Sequence, residues 1–98
     1  MNTKLQALQK LLREHMEELT TEYKVEKIGI FGSVARGDYY TGSDVDILVE
    51  FSEQVGFFHY LALENYLCTL LHETVEIVTV RALKPVIKEQ ILSETVYV

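Results

Sequence analysis

The sequence predicts an α/β (α+β) fold, a small mixed sheet of three or four strands with helices packed on it. Three observations carry this expectation. Stretches with helical spacing of apolar residues alternate with short β-branched runs, a helix falls between each pair of strands, and the connections are short. With 98 residues the chain is expected to form one domain, residues 1–98. Ile, Leu, Val and Phe number 34, enough for a core and too many for a disordered chain.

Residues 4–20 read as one amphipathic helix, since Leu5, Leu8, Leu12, Met16 and Leu19 recur three or four residues apart. Thr3 is its expected N-cap and Thr20-Thr21 its expected end. Val25–Phe31 reads as a strand running into Gly32. Ser33 to about Arg36 suits the first turn of a short helix that Gly37 ends at positive φ. Asp38–Ser43 is a loop by its turn residues. Asp44–Phe51 reads as a second strand with Asp44, Asp46, Leu48 and Glu50 on one face and Val45, Ile47, Val49 and Phe51 on the other. A helix from about Gly56 to His72 follows, then a β-branched strand, Thr74–Val80. Leu83 to Leu92 reads as a last helix, with Pro85 in its first turn and Val86, Ile87, Ile91 and Leu92 facing inward. The tail SETVYV either frays or adds an edge strand. The second and third strands, joined by a full helix, are expected to be parallel with a right-handed crossover. The helix after Gly32 is too short for such a crossover, which favours an antiparallel first pair.

Nine basic residues against fifteen acidic ones give a net charge of −6. That balance argues against sequence-independent binding of nucleic acid, which needs clustered Lys and Arg. A nucleotide remains possible as substrate, because a bound cation supplies positive charge. Cys68 is the sole cysteine and forms no internal disulfide. No apolar run approaches the ~18 residues of a membrane span, and no signal-peptide pattern opens the chain. A cytoplasmic location is the expectation.

Asp is used more selectively than Glu. Twelve Glu are spread along the chain, whereas all three Asp (Asp38, Asp44, Asp46) fall within nine residues. In an extended segment residues i and i+2 point the same way, so Asp44 and Asp46 present two carboxylates on one face. Such a pair repels itself unless a cation lies between, and Mg²⁺ takes carboxylate oxygens while completing its shell with water and substrate phosphates. Gly32-Ser33 supplies the other half: glycine permits close backbone approach, and the following N–H groups and Ser hydroxyl suit a phosphate. Arg36 would sit near the same turn and reach a phosphate, or else pair with Asp38 at the surface. A third carboxylate would help hold a second ion and accept the attacking hydroxyl's proton. Glu50 lies about 13 Å along the strand from Asp46, too far; Glu76 approaches sideways from the adjacent strand across about 5 Å.

Gly32-Ser33, ten residues, then Asp44-Val45-Asp46 resembles the signature of the minimal nucleotidyltransferases, a compact branch of the DNA polymerase β-like superfamily. Ala35-Arg36-Gly37 and Ser43 also look like family residues, and the resemblance extends through VEIVTVRALKPVIKEQILSETVYV. The resemblance implies a polymerase β-like nucleotidyltransferase core, with Asp44, Asp46 and Glu76 binding Mg²⁺ (two ions) and Gly32 and Ser33 holding the triphosphate of ATP. It also implies an antitoxin paired with a HEPN-domain RNase toxin, silencing it by moving AMP to a tyrosine hydroxyl. One departure stands out. The family usually has Asp at the third position, and Glu76 is longer by one methylene, about 1.5 Å. An antitoxin that only binds its toxin is therefore the alternative. Transfer to a small molecule such as an aminoglycoside usually involves an extra domain, for which this length leaves no space.

His15, His59 and His72 have no metal-binding spacing; each falls on an expected helix and suits a surface or boundary position there. Cys68 reads as a small core residue. Tyr39 and Tyr40 either stack on an adenine, contact a partner, or are ordinary loop residues. Helix 56–72 is richer in apolar and aromatic residues than one buried face requires, so it is either sandwiched between layers or exposed to another protein in an oligomer or hetero-complex. The run Glu14, Glu17, Glu18, Glu22 reads as a solvated face.

Overall fold

The computed structural model describes residues 2–98. The chain runs through helices α1 (Thr3–Glu14) and α2 (Met16–Tyr23), strand β1 (Val25–Phe31), helix α3 (Gly32–Arg36), strand β2 (Val45–Phe51) and helix α4 (Phe57–Leu71). Strand β3 (Val75–Thr79), a 3-10 turn (Val80–Ala82), helix α5 (Pro85–Glu94) and strand β4 (Val96–Tyr97) complete it. The four strands form one mixed sheet in the order β3-β2-β1-β4. β1 is antiparallel to β2 and β2 is parallel to β3, as the connection lengths favour, and β4 adds antiparallel to β1.

Register assigns the two faces of the sheet. Ile28 lies opposite Val49 and Ile30 opposite Ile47, while Ile47 lies beside Ile77 and Val45 beside Val75. These residues are buried with Leu8, Leu12 and Leu19 of α1 and α2 and with Leu63, Leu67 and Leu71 of α4, forming the main core. Among the described residues no helix is long and apolar enough to cross a membrane.

The single helix expected over residues 4–20 is two helices that break at His15. The His15 ring Nδ1 donates to the Leu11 carbonyl at 2.9 Å, and the His15 backbone N–H turns instead to Leu12, at 3.2 Å. A side chain thereby takes the carbonyl that the next helical bond needs. The second segment continues past Thr20-Thr21 to Tyr23 and ends at Lys24 with φ 59°. The N-cap is Asn2 rather than Thr3. Its side-chain oxygen accepts from the Leu5 N–H, and its amide nitrogen donates to the Val34 carbonyl, tying the chain start to α3.

The last helix also differs from expectation. Val86 is 91 % exposed and Ile87 44 %, so neither faces inward; Ile91 and Leu92 are half-buried. α5 is held through its C-terminal end, where Glu94 bonds α3, and its first turn stands clear of the sheet. The tail forms edge strand β4, with Val96 opposite Ile30 and Tyr97 opposite Gly29. A Cβ on Gly29 would lie 2.6 Å from Thr95 Cγ2, so glycine is what lets the tail cross there.

Phe57 and Phe58, in the first turn of α4, are 69 % and 83 % exposed. His59 bonds the Tyr23 carbonyl at 2.8 Å and Cys68 packs against the core, both serving structure.

Candidate active site

The site is built where β1 turns into α3. Gly32 is buried with φ 72°, a backbone state that L side chains rarely adopt. A Cβ there would lie 3.0 Å from Cγ of Asp46 and would collide with its Oδ2. Glycine therefore does two things at once: it makes the turn, and it lets the backbone rest against a carboxylate. The β1–β2 register is the cause, since it sets Phe31 opposite Asp46. α3 then lasts five residues before Gly37, at φ 85°, returns its N–H to the carbonyls of Ser33 and Val34.

Asp46 and Glu76 are partners in the parallel β2–β3 register, so their side chains leave the same face of the sheet side by side. Val75 and Ile77 point into the core, and Glu76 is exposed between them. Asp44 lies one residue before β2 begins and is exposed. The expected strand start at Asp44 thus shifts to Val45. Burial raises the Asp46 carboxyl above its ordinary range, and the charges of Glu76 and Asp44 raise it further; Arg36 opposes them, and Glu94 adds to them. Among the described residues no three His, Cys, Asp or Glu side chains are drawn together closely enough to cage a metal ion. The donors nonetheless fit Mg²⁺, which binds through one or two carboxylates and takes its remaining oxygens from water and phosphate. The crowded negative charge on Asp46 is what such a cation would relieve. Glu50 sits opposite Lys27, toward the other end of β2.

Arg36 is exposed and pairs with two acids. Its Nε lies 3.2 Å from Asp38 Oδ2, and its Nη1 lies 3.4 Å from Glu94 Oε1. The surface ion pair with Asp38 is therefore formed, while the guanidinium stays beside the elbow. These charged partners hold Arg36 above its already high ordinary value, with the Asp38 hydrogen bond contributing most. The same Glu94 oxygen accepts from the Gly32 N–H at 3.0 Å. Nothing local in the sequence signals Glu94, because 62 residues separate it from Gly32.

Two further features lie on neighbouring elements. The Tyr60 hydroxyl donates to the Ile77 carbonyl, tying α4 to β3, and it is held above its ordinary value by burial, then by Glu64 and Glu76. Tyr39 and Tyr40 are exposed on the loop before Asp44, with Lys4 Nζ 5.1 Å from the centre of the Tyr39 ring. A concavity of about 760 Å³ lies between the C-terminal ends of β2 and β3 and the start of α4, where Phe51, Val55, Phe57 and Val80 line it. It does not include Asp44, Asp46 or Glu76. The acids and the elbow lie toward the other end of β2, where Asp44 and Glu76 are exposed and Asp46 is half-buried.

Comparison with known proteins agrees with this geometry. Residues 12–98 match the family described as Nucleotidyltransferase domain. The chain is 40 % identical over 94 residues to the protein adenylyltransferase MntA of Thermococcus cleftensis, covering 96 % of this chain and 95 % of that protein. A solved structure described as a minimal nucleotidyltransferase superposes with a TM-score of 0.79 at 36 % identity, covering 94 % of this chain and 93 % of that one. A chain from a toxin–antitoxin crystal structure with AMP-PNP superposes at 0.67 with 25 % identity, covering 98 % of this chain and 70 % of that one. With the glycine-serine elbow pressed against Asp46 and Glu76 set beside it, the chain belongs to the nucleotidyltransferase domain family, in its minimal protein-adenylyltransferase branch.

Proposed function

We propose that this chain is an antitoxin that transfers AMP from ATP to a tyrosine hydroxyl of a HEPN-domain RNase toxin in the cytoplasm. The observation that carries the reading is the Asp46 carboxylate, held against the Gly32 backbone and in register with Glu76. The toxin–antitoxin chain that shares the fold supports a toxin as partner and an adenine nucleotide as ligand.

Asp44, Asp46 and Glu76 would hold Mg²⁺, two ions in this reading, which when bound neutralises the triphosphate and the charge developing at the α-phosphorus. Gly32 offers its N–H and Ser33 its N–H and hydroxyl to the β- and γ-phosphates, and Arg36 lies close enough to add a charge-assisted bond. The toxin's tyrosine oxygen attacks the α-phosphorus. A new P–O bond forms, the bond to the β-phosphate oxygen breaks, and pyrophosphate leaves in line. The proton shed by the hydroxyl passes to Glu76 or to water. The chain itself supplies no nucleophile; its contribution is alignment and charge placement. Phe57 and Phe58, exposed at the start of α4, offer apolar surface for the toxin.

A second reading, neutralisation by binding alone, is favoured by one observation: Glu76 stands where the resembled family usually has Asp. Intact mass spectrometry of a cognate HEPN-domain protein, after incubation with this chain, ATP and Mg²⁺, separates the two. Added AMP masses are expected with the native chain. The D44N/D46N double variant should cut transfer at least about a thousandfold while keeping its circular dichroism. Undiminished transfer by that variant would overturn the assignment of these acids.

A further inference from the structure

Glu94 stands where an anion held by the elbow would stand. Its Oε1 accepts from the Gly32 N–H at 3.0 Å and lies 3.4 Å from Nη1 of Arg36. A backbone donor and a guanidinium thus converge on one carboxylate oxygen. A phosphate oxygen gripped by the same elbow would need those two donors, and one N–H cannot serve both anions well. Glu94 is also close enough to Asp46 to add to its excess of negative charge. Of the acids that act on Asp46, Glu76 is its partner in the sheet and Asp44 precedes it by two residues, while Glu94 comes from the end of α5 and bonds the elbow.

The fold fixes this placement. β4 pairs with β1 immediately after α5 ends, with Val96 opposite Ile30, and this delivers the last residue of α5 over the elbow two positions further on. Gly29 permits the crossing, because any Cβ there would strike Thr95. The Thr95 hydroxyl donates to the Ile91 carbonyl at 2.6 Å and fixes the turn out of α5. Glu94 is therefore held from both sides, and its side chain is 20 % exposed.

We propose that Glu94 is a built-in competitor for the terminal phosphates of the nucleotide. The triphosphate displaces the carboxylate from the Gly32 N–H, and Arg36 passes from Glu94 to phosphate. Only a ligand that carries β- and γ-phosphates contests this position, so Glu94 weakens ATP binding and leaves AMP binding untouched. It makes the elbow respond to the part of the nucleotide that becomes the leaving group. The inference rests on the nucleotidyl-transfer reading given above.

The test is titration calorimetry with AMP-PNP and, separately, AMP, each with Mg²⁺, on the native chain, E94A and E94Q. E94A should bind AMP-PNP about tenfold tighter, and E94Q, which keeps the shape and an acceptor oxygen without the charge, about threefold tighter. AMP affinity should change less than about twofold in both, since it makes no terminal-phosphate contact. Unchanged or weaker AMP-PNP binding overturns the proposal, as does an equal gain for AMP. Thermal melting accompanies each titration, and E94Q decides if E94A is unfolded. AMP-PNP binding to the native chain with no gain in the variants removes only the role of Glu94. No AMP-PNP binding by any of the three removes the nucleotidyl-transfer reading along with it.

Discussion

The two faces of β2 and β3 put the same alternation to opposite uses. On one face Val45, Ile47, Val49, Val75 and Ile77 are all buried among the leucines of α1, α2 and α4. On the other face Asp46 and Glu76 stand side by side, with Asp44 just beyond and the Gly32 backbone pressed against Asp46. The first face removes apolar surface from water and stabilises the fold. The second also buries Leu48, but it crowds like charges around the half-buried Asp46, and that crowding costs stability, in line with a carboxyl pushed above its ordinary range. Asp46 and Ile47 are adjacent in sequence yet belong to different economies, and period two is enough to separate them. The core can therefore be strong without constraining which side chains the reactive face carries.

The largest stability effect should come from the packed face. Ile47 is fully buried at the centre of the sheet, opposite Ile30 and beside Ile77. Ile47→Ala should cost about 3 kcal/mol in urea unfolding, from lost transfer energy and the cavity left behind. A cost below about 1 kcal/mol would mean that the surrounding leucines close the gap, and the contrast between the faces would weaken.

One residue earlier the sign should reverse. Asp46→Asn removes a charge that burial, Glu76 and Asp44 all disfavour, so its melting temperature without Mg²⁺ should rise by about 3 °C at pH 7 while AMP transfer is lost. The pH dependence follows from the direction of the shift. A carboxyl whose folded value lies above its unfolded value near 3.8 carries its penalty at neutral pH, where it is charged in both states. The penalty fades as pH falls through the raised folded value, where the folded protein takes up the proton first. The advantage of Asp46→Asn should therefore be greatest near neutrality and shrink on acidification. A lower melting temperature for Asp46→Asn at pH 7 would show that the native carboxylate is compensated after all.

How much of this was legible in the sequence depended on the range of the interaction. The strand pattern and the spacing from Gly32-Ser33 to Asp44 and Asp46 are local, and Glu76 followed from parity and from the parallel pairing that a full intervening helix requires. The break at His15 was hidden, because the leucine periodicity continues through it while the His15 ring takes the Leu11 carbonyl. Periodicity also placed Val86 and Ile87 inward, but it reports which residues share a face and not whether anything covers that face. Glu94 was beyond reach for a different reason. Its contact with Gly32 exists only once β4 has paired with β1, an event decided by Gly29 and the tail rather than by anything near either residue.

The smallest expected effect tests the residue at which this chain departs from the resembled pattern. Glu76 projects from β3, which has β2 as its one strand partner, and reaches toward Asp46 across a strand spacing of about 5 Å. Its side chain is exposed, so shortening it leaves no cavity, and Glu76→Asp should change stability by less than about 0.5 kcal/mol. If the native site is built around the longer side chain, Glu76→Asp should transfer AMP at a rate within about threefold of native, or lower, because retraction by one methylene misplaces the carboxylate. A gain of tenfold or more would mean that the native carboxylate overreaches. The reactive face would then retain the charge pattern of an enzyme with a weakened native site, and mass spectrometry of the partner protein would show little added AMP with the native chain and more with Glu76→Asp.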